Sequence, residues 1–258
     1  MRVCAEGALR AHHAVASLSP FGVGVSVPSV DALCDFCDVL ALPSPASRDG
    51  YTIAGTDIPF SSLPLSRGHA VFGGFIPKKW RETHAELYDC AEDESFLLKN
   101  AALTAEGGIA TALTASGRSL YGLSVGIIGY GRIAQLLCER LSGFGVPICV
   151  YARRKEALTL ARLGGFAAMP LRRDTVFKES VLFNTVPEPV FGETRTRGTL
   201  FAYDLGGGLP SALEDESGTT LPVTAMRGVP GVFAPRAAGE IILESLLGFL
   251  EDKAGALP

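Results

Sequence analysis

No run of 18 apolar residues occurs in this chain of 258 residues, so the sequence offers no candidate membrane span. A long basic stripe is also missing. Lysine and arginine come in short groups (Lys78-Lys79, Arg153-Arg154-Lys155, Arg172-Arg173) and the formal net charge is −4, which gives no reason to expect a nucleic acid partner. The N-terminus lacks the unbroken apolar core of a signal peptide, because Glu6, Arg10, His12 and His13 interrupt it, and a cytoplasmic protein is expected. Histidine is scarce and one-sided, at 12, 13, 69 and 84 with none beyond. The six cysteines, at 4, 34, 37, 90, 138 and 149, are scattered. Cys34 and Cys37 form a C-x-x-C without a second ligand pair. With Val30 and Leu33 they fit one helix face, so core packing is expected and no metal site. Cys138 and Cys149 lie inside apolar segments and read as small hydrophobes. No internal repeat or low-complexity tract is present.

With 47% hydrophobic residues, the chain can build real cores in one large or two ordinary domains. Its most informative stretch runs from Leu123 to Arg154. Val125, Ile127 and Ile128 form a buried strand, and Gly129, Gly131 and Ala134 fill the G-x-G-x-x-G/A positions. Ile133, Leu136, Leu137 and Leu141 then recur at helical spacing, and Pro147 to Tyr151 give a second strand. Gly129 permits a tight turn, Gly131 lets a pyrophosphate approach the backbone, and Ala134 lets the helix lie close to the sheet. The helix N-terminus supplies N–H groups and partial positive charge. A dinucleotide site is therefore expected, with contacts from Gly129, Tyr130, Gly131, Arg132 and Ile133. An NAD site usually carries an Asp or Glu at the end of the second strand to hold the ribose 2′-OH. Here Arg153 and Arg154 follow Ala152, and guanidiniums suit a 2′-phosphate. NADP is expected over NAD; the alternative is that the two arginines merely solvate a strand end.

The first hundred residues read as a smaller α/β unit: strands at Arg2–Ala5, Gly22–Val27, Asp38–Leu42 and Ala70–Gly73, with helices at Ala8–Leu18 and Ser29–Cys37. Pro43 to Gly50 and Gly73 to Pro77 are loops at strand ends, either cleft walls or ordinary connections. Phe96–Ser116 has helical spacing, and the costly pair Gly107-Gly108 suggests either close packing or a helix start near Thr104. Later strands are expected at Ala167–Met169, Val181–Thr185, Leu200–Tyr203 and Pro222–Thr224. Thr185 and Pro187 after one strand, and Asp204 before Gly206-Gly207-Gly208 after another, are further cofactor candidates. A strongly apolar final helix, with Ile241, Ile242, Leu243, Leu246, Leu247, Phe249 and Leu250, should be deeply buried. The fold class expected is α/β, two Rossmann-like domains with parallel sheets in a split arrangement. A substrate-side domain spans 1–99, with 236–258 packing back on it. The NAD(P)-binding domain with its linker helix spans 100–235, and Arg236 would lie toward the interdomain groove.

These residues resemble the A-subunit family of dipicolinate synthase. The likeness is carried by Gly-Ile-Ile-Gly-Tyr-Gly-Arg-Ile-Ala, Asn184-Thr185-Val186-Pro187, the Asp204 loop, Leu42-Pro43-Ser44 with Gly50, and Leu103-Thr104-Ala105-Glu106-Gly107. It is most specific in Pro230-Gly231-Val232-Phe233-Ala234-Pro235-Arg236-Ala237-Ala238-Gly239 and extends over nearly the whole chain. One departure is Ala5-Glu6-Gly7, where the family usually has a Gly-Gly-Asp turn. The resemblance implies an NADP-dependent dehydrogenase that oxidises a dihydrodipicolinate-type dicarboxylate to pyridine-2,6-dicarboxylate in the mother cell during sporulation. It also implies a second, flavoprotein-like partner, the B-subunit of dipicolinate synthase. Homo-oligomer formation is left open.

Such chemistry needs a hydride acceptor, cations for two carboxylates and a proton acceptor. Arg236 is the expected carboxylate contact, assisted by backbone N–H groups around Thr104 and the hydroxyls of Ser44 and Ser47; its alternative is a salt bridge or a carbonyl cap. Glu106 is the candidate base if burial raises its pKa, or else it caps its own helix. A D-2-hydroxy acid dehydrogenase is the competing enzyme, but that chemistry uses a C-terminal His, and no imidazole follows His84. A non-catalytic NADP-binding protein is the competing reading from another class.

Overall fold

The computed structural model describes residues 3–5, 39–63, 65–189 and 195–255, and the elements expected between 8 and 37, with the Cys34–Cys37 pair, lie outside them. The chain forms two units, residues 1–100 with 235–258, and residues 101–234.

In the first unit, β1 (Val3–Ala5), β2 (Val39–Ala41), β3 (Ala70–Gly73) and β4 (Glu86–Asp89) pair in that order, every neighbour parallel. Side chains alternate across a strand, so each apolar run feeds two cores. Leu40, Leu42 and Val71 pack with Ile53, Phe60, Leu63 and Trp80, whose rings include a Phe60–Trp80 stack at 4.1 Å. On the alternate positions, Val39, Ala41, Ala70 and Phe72 meet Phe96, Leu246 and Phe249. Phe96 opens α1 (Glu94–Ser116), and the other two belong to the C-terminal helix Pro235–Gly255. That helix is less buried than its apolar circumference suggested. Leu246 and Phe249 are buried, whereas Ile241, Ile242 and Leu250 are half-buried.

The loop after β3 is held by Asp89, whose carboxylate accepts from Phe75 N and Ile76 N, both at 2.8 Å, and from Ala91 N at 2.9 Å. Phe75 is left-handed (φ 54°) and half exposed. A bulky residue in that region stores strain, which the Asp89 bonds offset.

The second unit contains β5 (Val125–Ile128), β6 (Ile148–Ala152), β7 (Ala167–Pro170), β8 (Val176–Phe177), β9 (Val181–Asn184), β10 (Arg195–Thr196), β11 (Phe201–Asp204), β12 (Ala212–Asp215) and β13 (Thr220–Ala225). They form one sheet in the order β7-β6-β5-β9-β11-β13-β12-β10-β8. The expected parallel α/β architecture is present, with one exception: β12 and β13 form an antiparallel hairpin turned at Gly218 (φ 83°). The short, acidic strands β4 and β12 and the two-residue β8 and β10 carried no apolar run that would announce them.

Helix α2 (Arg132–Ser142) buries Ala134, Leu137, Cys138 and Leu141, the i, i+3, i+4, i+7 stripe that fits one face against the sheet. Helix α3 (Lys155–Leu163) follows β6. Helix α1 runs unbroken through Thr104, so no helix starts there. Its glycine pair serves packing instead. A Cβ on Gly107 would lie 2.4 Å from Val229 Cγ1 and 2.9 Å from Phe233 Cβ, both on α4 (Val229–Phe233). Gly107→Ala gains about 1 kcal/mol of helix propensity but overpacks this contact, which typically costs about 1–3 kcal/mol. Urea unfolding should therefore show a net loss of stability, and a gain would mean that α1 and α4 do not approach this closely.

Candidate functional site

Strands β6, β5, β9, β11 and β13 are parallel neighbours, so their carboxyl ends and the loops that follow share one edge. The chain steps outward from β5 to β6 and β7 on one side and to β9 and β11 on the other. A crevice opens at such a switch point. It is a cleft of about 290 Å³ lined by Gly129, Tyr130 and Gly131 after β5, by Tyr151, Ala152, Arg153 and Arg154 at the end of β6, by Ala157 and Leu171, and by Thr185, Val186 and Pro187 after β9.

The two glycines of the turn differ in what they are needed for. Gly129 is left-handed (φ 98°), and a Cβ there would fall 2.5 Å from Thr185 Oγ1. Gly131 has an extended backbone (φ −91°, ψ −165°) open to any residue, and a Cβ there would meet no protein atom within 4 Å. Neither conformation nor packing asks for glycine at 131, which leaves close approach by a ligand as the demand it answers. Gly131 is also the N-cap of α2 and offers no side-chain cap, so the helix opens on the cleft with its positive end uncompensated. Arg132 and Ile133 form the first turn and do not line the cleft. Tyr130 reaches toward Gly164 at the end of α3, and burial raises its hydroxyl pKa.

At the end of β6 no carboxylate appears. Arg153 instead pairs with Glu188 at 3.0 Å, both exposed, and Arg154 caps α3 without a side-chain bond. Tyr151 donates its hydroxyl to Glu179 at 3.0 Å, and burial, reinforced by Glu179, pushes its pKa far up.

The loops after β9 and β11 are joined from beneath. Asn184, fully buried, donates to Asp204 Oδ1 at 2.7 Å and to Val186 O at 2.9 Å, and accepts from Val186 N at 3.1 Å. Asp204, 1% exposed, also accepts from Gly207 N at 2.8 Å and has Arg227 Nη2 at 3.5 Å. Its carboxylate thus braces the loop from below and does not line the cleft, which corrects its expected role as a cofactor contact. Two of the three glycines after it approach protein backbone: a Cβ on Gly206 would lie 2.5 Å from Val186 N, and one on Gly208 2.4 Å from Glu188 O. Thr185 donates its hydroxyl to Ile128 O at 2.9 Å, tying β9 to the end of β5.

Several expected site residues are engaged elsewhere. Glu106 sits mid-way along α1 and accepts from Arg140 Nη2 at 3.0 Å and Nε at 3.3 Å. It links α1 to α2, neither capping a helix nor lining the cleft, so its assignment as a base is withdrawn. Thr104 is buried within α1, where backbone N–H groups belong to the helix ladder, so the expected amide site is not formed. Ser47 donates to Asp49 at 3.0 Å and accepts from Gly50 N at 2.9 Å, closing its own turn. Ser44 is half-buried against Gly74, where a Cβ would lie 2.3 Å from its Oγ. Arg236 is 86% exposed and pairs with Glu240 one turn on at 3.1 Å. Ser44, Ser47 and Arg236 all belong to the first unit.

Burial pushes the thiol of Cys138 up to about 12 and that of Cys149, with help from Glu179, up to about 11, so neither is a thiolate near neutral pH. Among the described residues no cluster of His, Cys, Asp and Glu could hold a metal ion, and no helix is long and apolar enough to cross a membrane. Sequence reasoning missed Glu188 and Arg227, each brought to the edge by pairing of distant strands.

Residues 98–189 match the family model for the NAD binding domain of D-isomer specific 2-hydroxyacid dehydrogenases. The A-subunit of dipicolinate synthase from Bacillus subtilis (strain 168) is 25% identical over 212 residues, covering 75% of this chain and 70% of that protein. The crystal structure of the dipicolinate synthase A-subunit from Bacillus halodurans superposes with a TM-score of 0.69 at 18% identity, over 99% of this chain and 97% of that one. An NADPH-dependent glyoxylate/hydroxypyruvate reductase of Sinorhizobium meliloti shares the fold more distantly, with a TM-score of 0.51 at 16% identity over 96% of this chain and 92% of that one. The likeness read from the residues is borne out: the chain is similar in sequence and fold to the A-subunit of dipicolinate synthase, and residues 98–189 are similar to a dehydrogenase NAD binding domain.

Proposed function

We propose that the chain is an NADP-dependent dehydrogenase that oxidises a dihydropyridine dicarboxylate to pyridine-2,6-dicarboxylate, working within a dipicolinate synthase. The observation that carries the cofactor half is a single cleft that brings together an uncapped helix start, a glycine with no structural duty at 131, and two arginines at a strand end without a carboxylate. The substrate half and a second, flavoprotein-like partner are supported by the similarity to the dipicolinate synthase A-subunit.

A bound nicotinamide would supply the hydride acceptor, and loss of hydride and a proton from the substrate would aromatise its ring. The chain's own residues position the cofactor. Gly129, Tyr130 and Gly131 with the first amides of α2 hold the diphosphate. Arg153 and Arg154 hold the 2′-phosphate through charge-assisted bonds. Thr185 and Pro187 wall the far side, and Arg236 takes one substrate carboxylate. With Glu106 engaged by Arg140, the ring proton passes to water or a substrate group.

The family match supports the competing reading, a D-2-hydroxy acid dehydrogenase. No histidine follows residue 84 to shuttle its proton, so turnover of glyoxylate with NADPH should be absent.

Arg153→Ala with Arg154→Ala should weaken NADPH at least about tenfold, since charged hydrogen bonds contribute about 1.5–3 kcal/mol each, and leave NADH nearly unchanged. Equal affinities before and after would remove the 2′-phosphate site. Glu188→Gln frees Arg153 from a surface pair worth about 0.2–1 kcal/mol, so NADPH should bind up to about fivefold tighter. Gly131→Ala should leave urea unfolding within about 0.5 kcal/mol and abolish nucleotide binding in fluorescence titration. Retained binding would place the diphosphate elsewhere. Arg236→Ala should weaken pyridine-2,6-dicarboxylate without changing NADPH affinity, and a matched loss of both would give Arg236 a structural role.

A further inference from the structure

Beyond the loops that line the cleft, the same sheet edge holds one more cation. Arg227 follows β13 and is 60% exposed. A Cβ on Gly207 would lie 3.1 Å from Arg227 Nη1 and 3.3 Å from Nη2, so the guanidinium rests over a loop that has no side chain of its own. Its carboxylate neighbour is a weak partner. Asp204 Oδ1 is taken by Asn184 and Gly207 N, and the contact to Oδ2 is 3.5 Å long. With its contact to Asp204 this long and its side chain 60% exposed, the guanidinium has donors available to a ligand.

Spacing along the edge indicates what that is. From β6, where Arg153 and Arg154 sit, to β13 the order is β6, β5, β9, β11, β13. At ~4.8 Å per strand, Arg227 stands roughly 19 Å from the arginine pair. A dinucleotide held by Arg153, Arg154 and Gly131 would have its other end toward Thr185 and Pro187, the side of the cleft on which β9 and β11 lie. A cation one strand farther along that edge would be placed to meet a molecule lying beside the nicotinamide end. We propose that Arg227 is a substrate-binding residue that holds a carboxylate of the molecule exchanging hydride with the cofactor. This rests on the proposed dehydrogenase activity and adds to it a specificity for carboxylate anions built into the cofactor unit itself.

The test uses the full chain and the variants Arg227→Met and Arg227→Lys. NADPH is titrated first by fluorescence. Pyridine-2,6-dicarboxylate and glyoxylate are then titrated as separate probes onto the nucleotide-loaded protein. Arg227→Met should bind NADPH within about twofold of the parent and the carboxylate at least about tenfold more weakly. Arg227→Lys should recover part of that loss, and where turnover is measurable KM should rise more than kcat falls. Loss of glyoxylate binding alone, in a parent that does not bind pyridine-2,6-dicarboxylate, would uphold Arg227 while removing dipicolinate as the product. The proposal is overturned by unchanged carboxylate affinity in Arg227→Met, by equal loss of NADPH and carboxylate, or by a parent protein that binds NADPH and neither acid.

Discussion

A buried amide–carboxylate contact, Asn184 to Asp204 at 2.7 Å, sets the working edge of the second unit. Both side chains end strands that lie side by side in the sheet, and both are withdrawn from water. A buried carboxylate is costly unless its lone pairs are occupied. Asn184 and the N–H of Gly207 occupy one oxygen, and Arg227 approaches the other. With that charge anchored, the loop after β11 can lie against the loop after β9 with backbone touching backbone, which is why Gly206 and Gly208 have no room for a Cβ. The wall formed by Thr185, Val186 and Pro187 stands on this foundation.

The cleft divides its labour by charge. Its centre uses backbone amides and a helix dipole, which recognise a diphosphate in any nicotinamide dinucleotide. Its β6 side uses side chains, and under the proposed function Arg153 and Arg154 would discriminate between the two cofactors there. Arg153 is already paired with Glu188, an exposed partner that an incoming phosphate can displace at small cost because water screens both groups. Glu188 follows the loop after β9, so the two sides of the cleft touch through this ion pair.

What could be read from the sequence was local. The strand, turn and helix at 125–142 announced themselves because periodicity, glycine spacing and a buried stripe agree over one continuous segment. The place of Arg153 and Arg154 at the end of β6, lining the cleft, was legible for the same reason. Glu106 was not, because its partner Arg140 lies on another helix 34 residues away. Of the two readings of Gly107-Gly108, close packing holds, against Val229, Phe233 and Leu205, so Thr104 lies inside the helix and not at its start. Ser47 was misjudged because a hydroxyl in a loop satisfies its own turn before it serves a ligand. Arg227 gave no signal: its place depends on the pairing of β11 with β13, which no local pattern encodes.

The hairpin of β12 and β13 has a consequence for how the molecule meets its own kind. By turning back on itself, the chain lets the sheet grow to nine strands and finish on β10 and β8, each two residues long. The opposite margin is β7, a four-residue strand closed by Pro170, which has no N–H to offer. Neither margin is a template long enough for a stranger's backbone to add a further strand, the route by which large open sheets polymerise. Among the described residues, the rims of this wide sheet therefore offer little backbone for edge-to-edge strand addition.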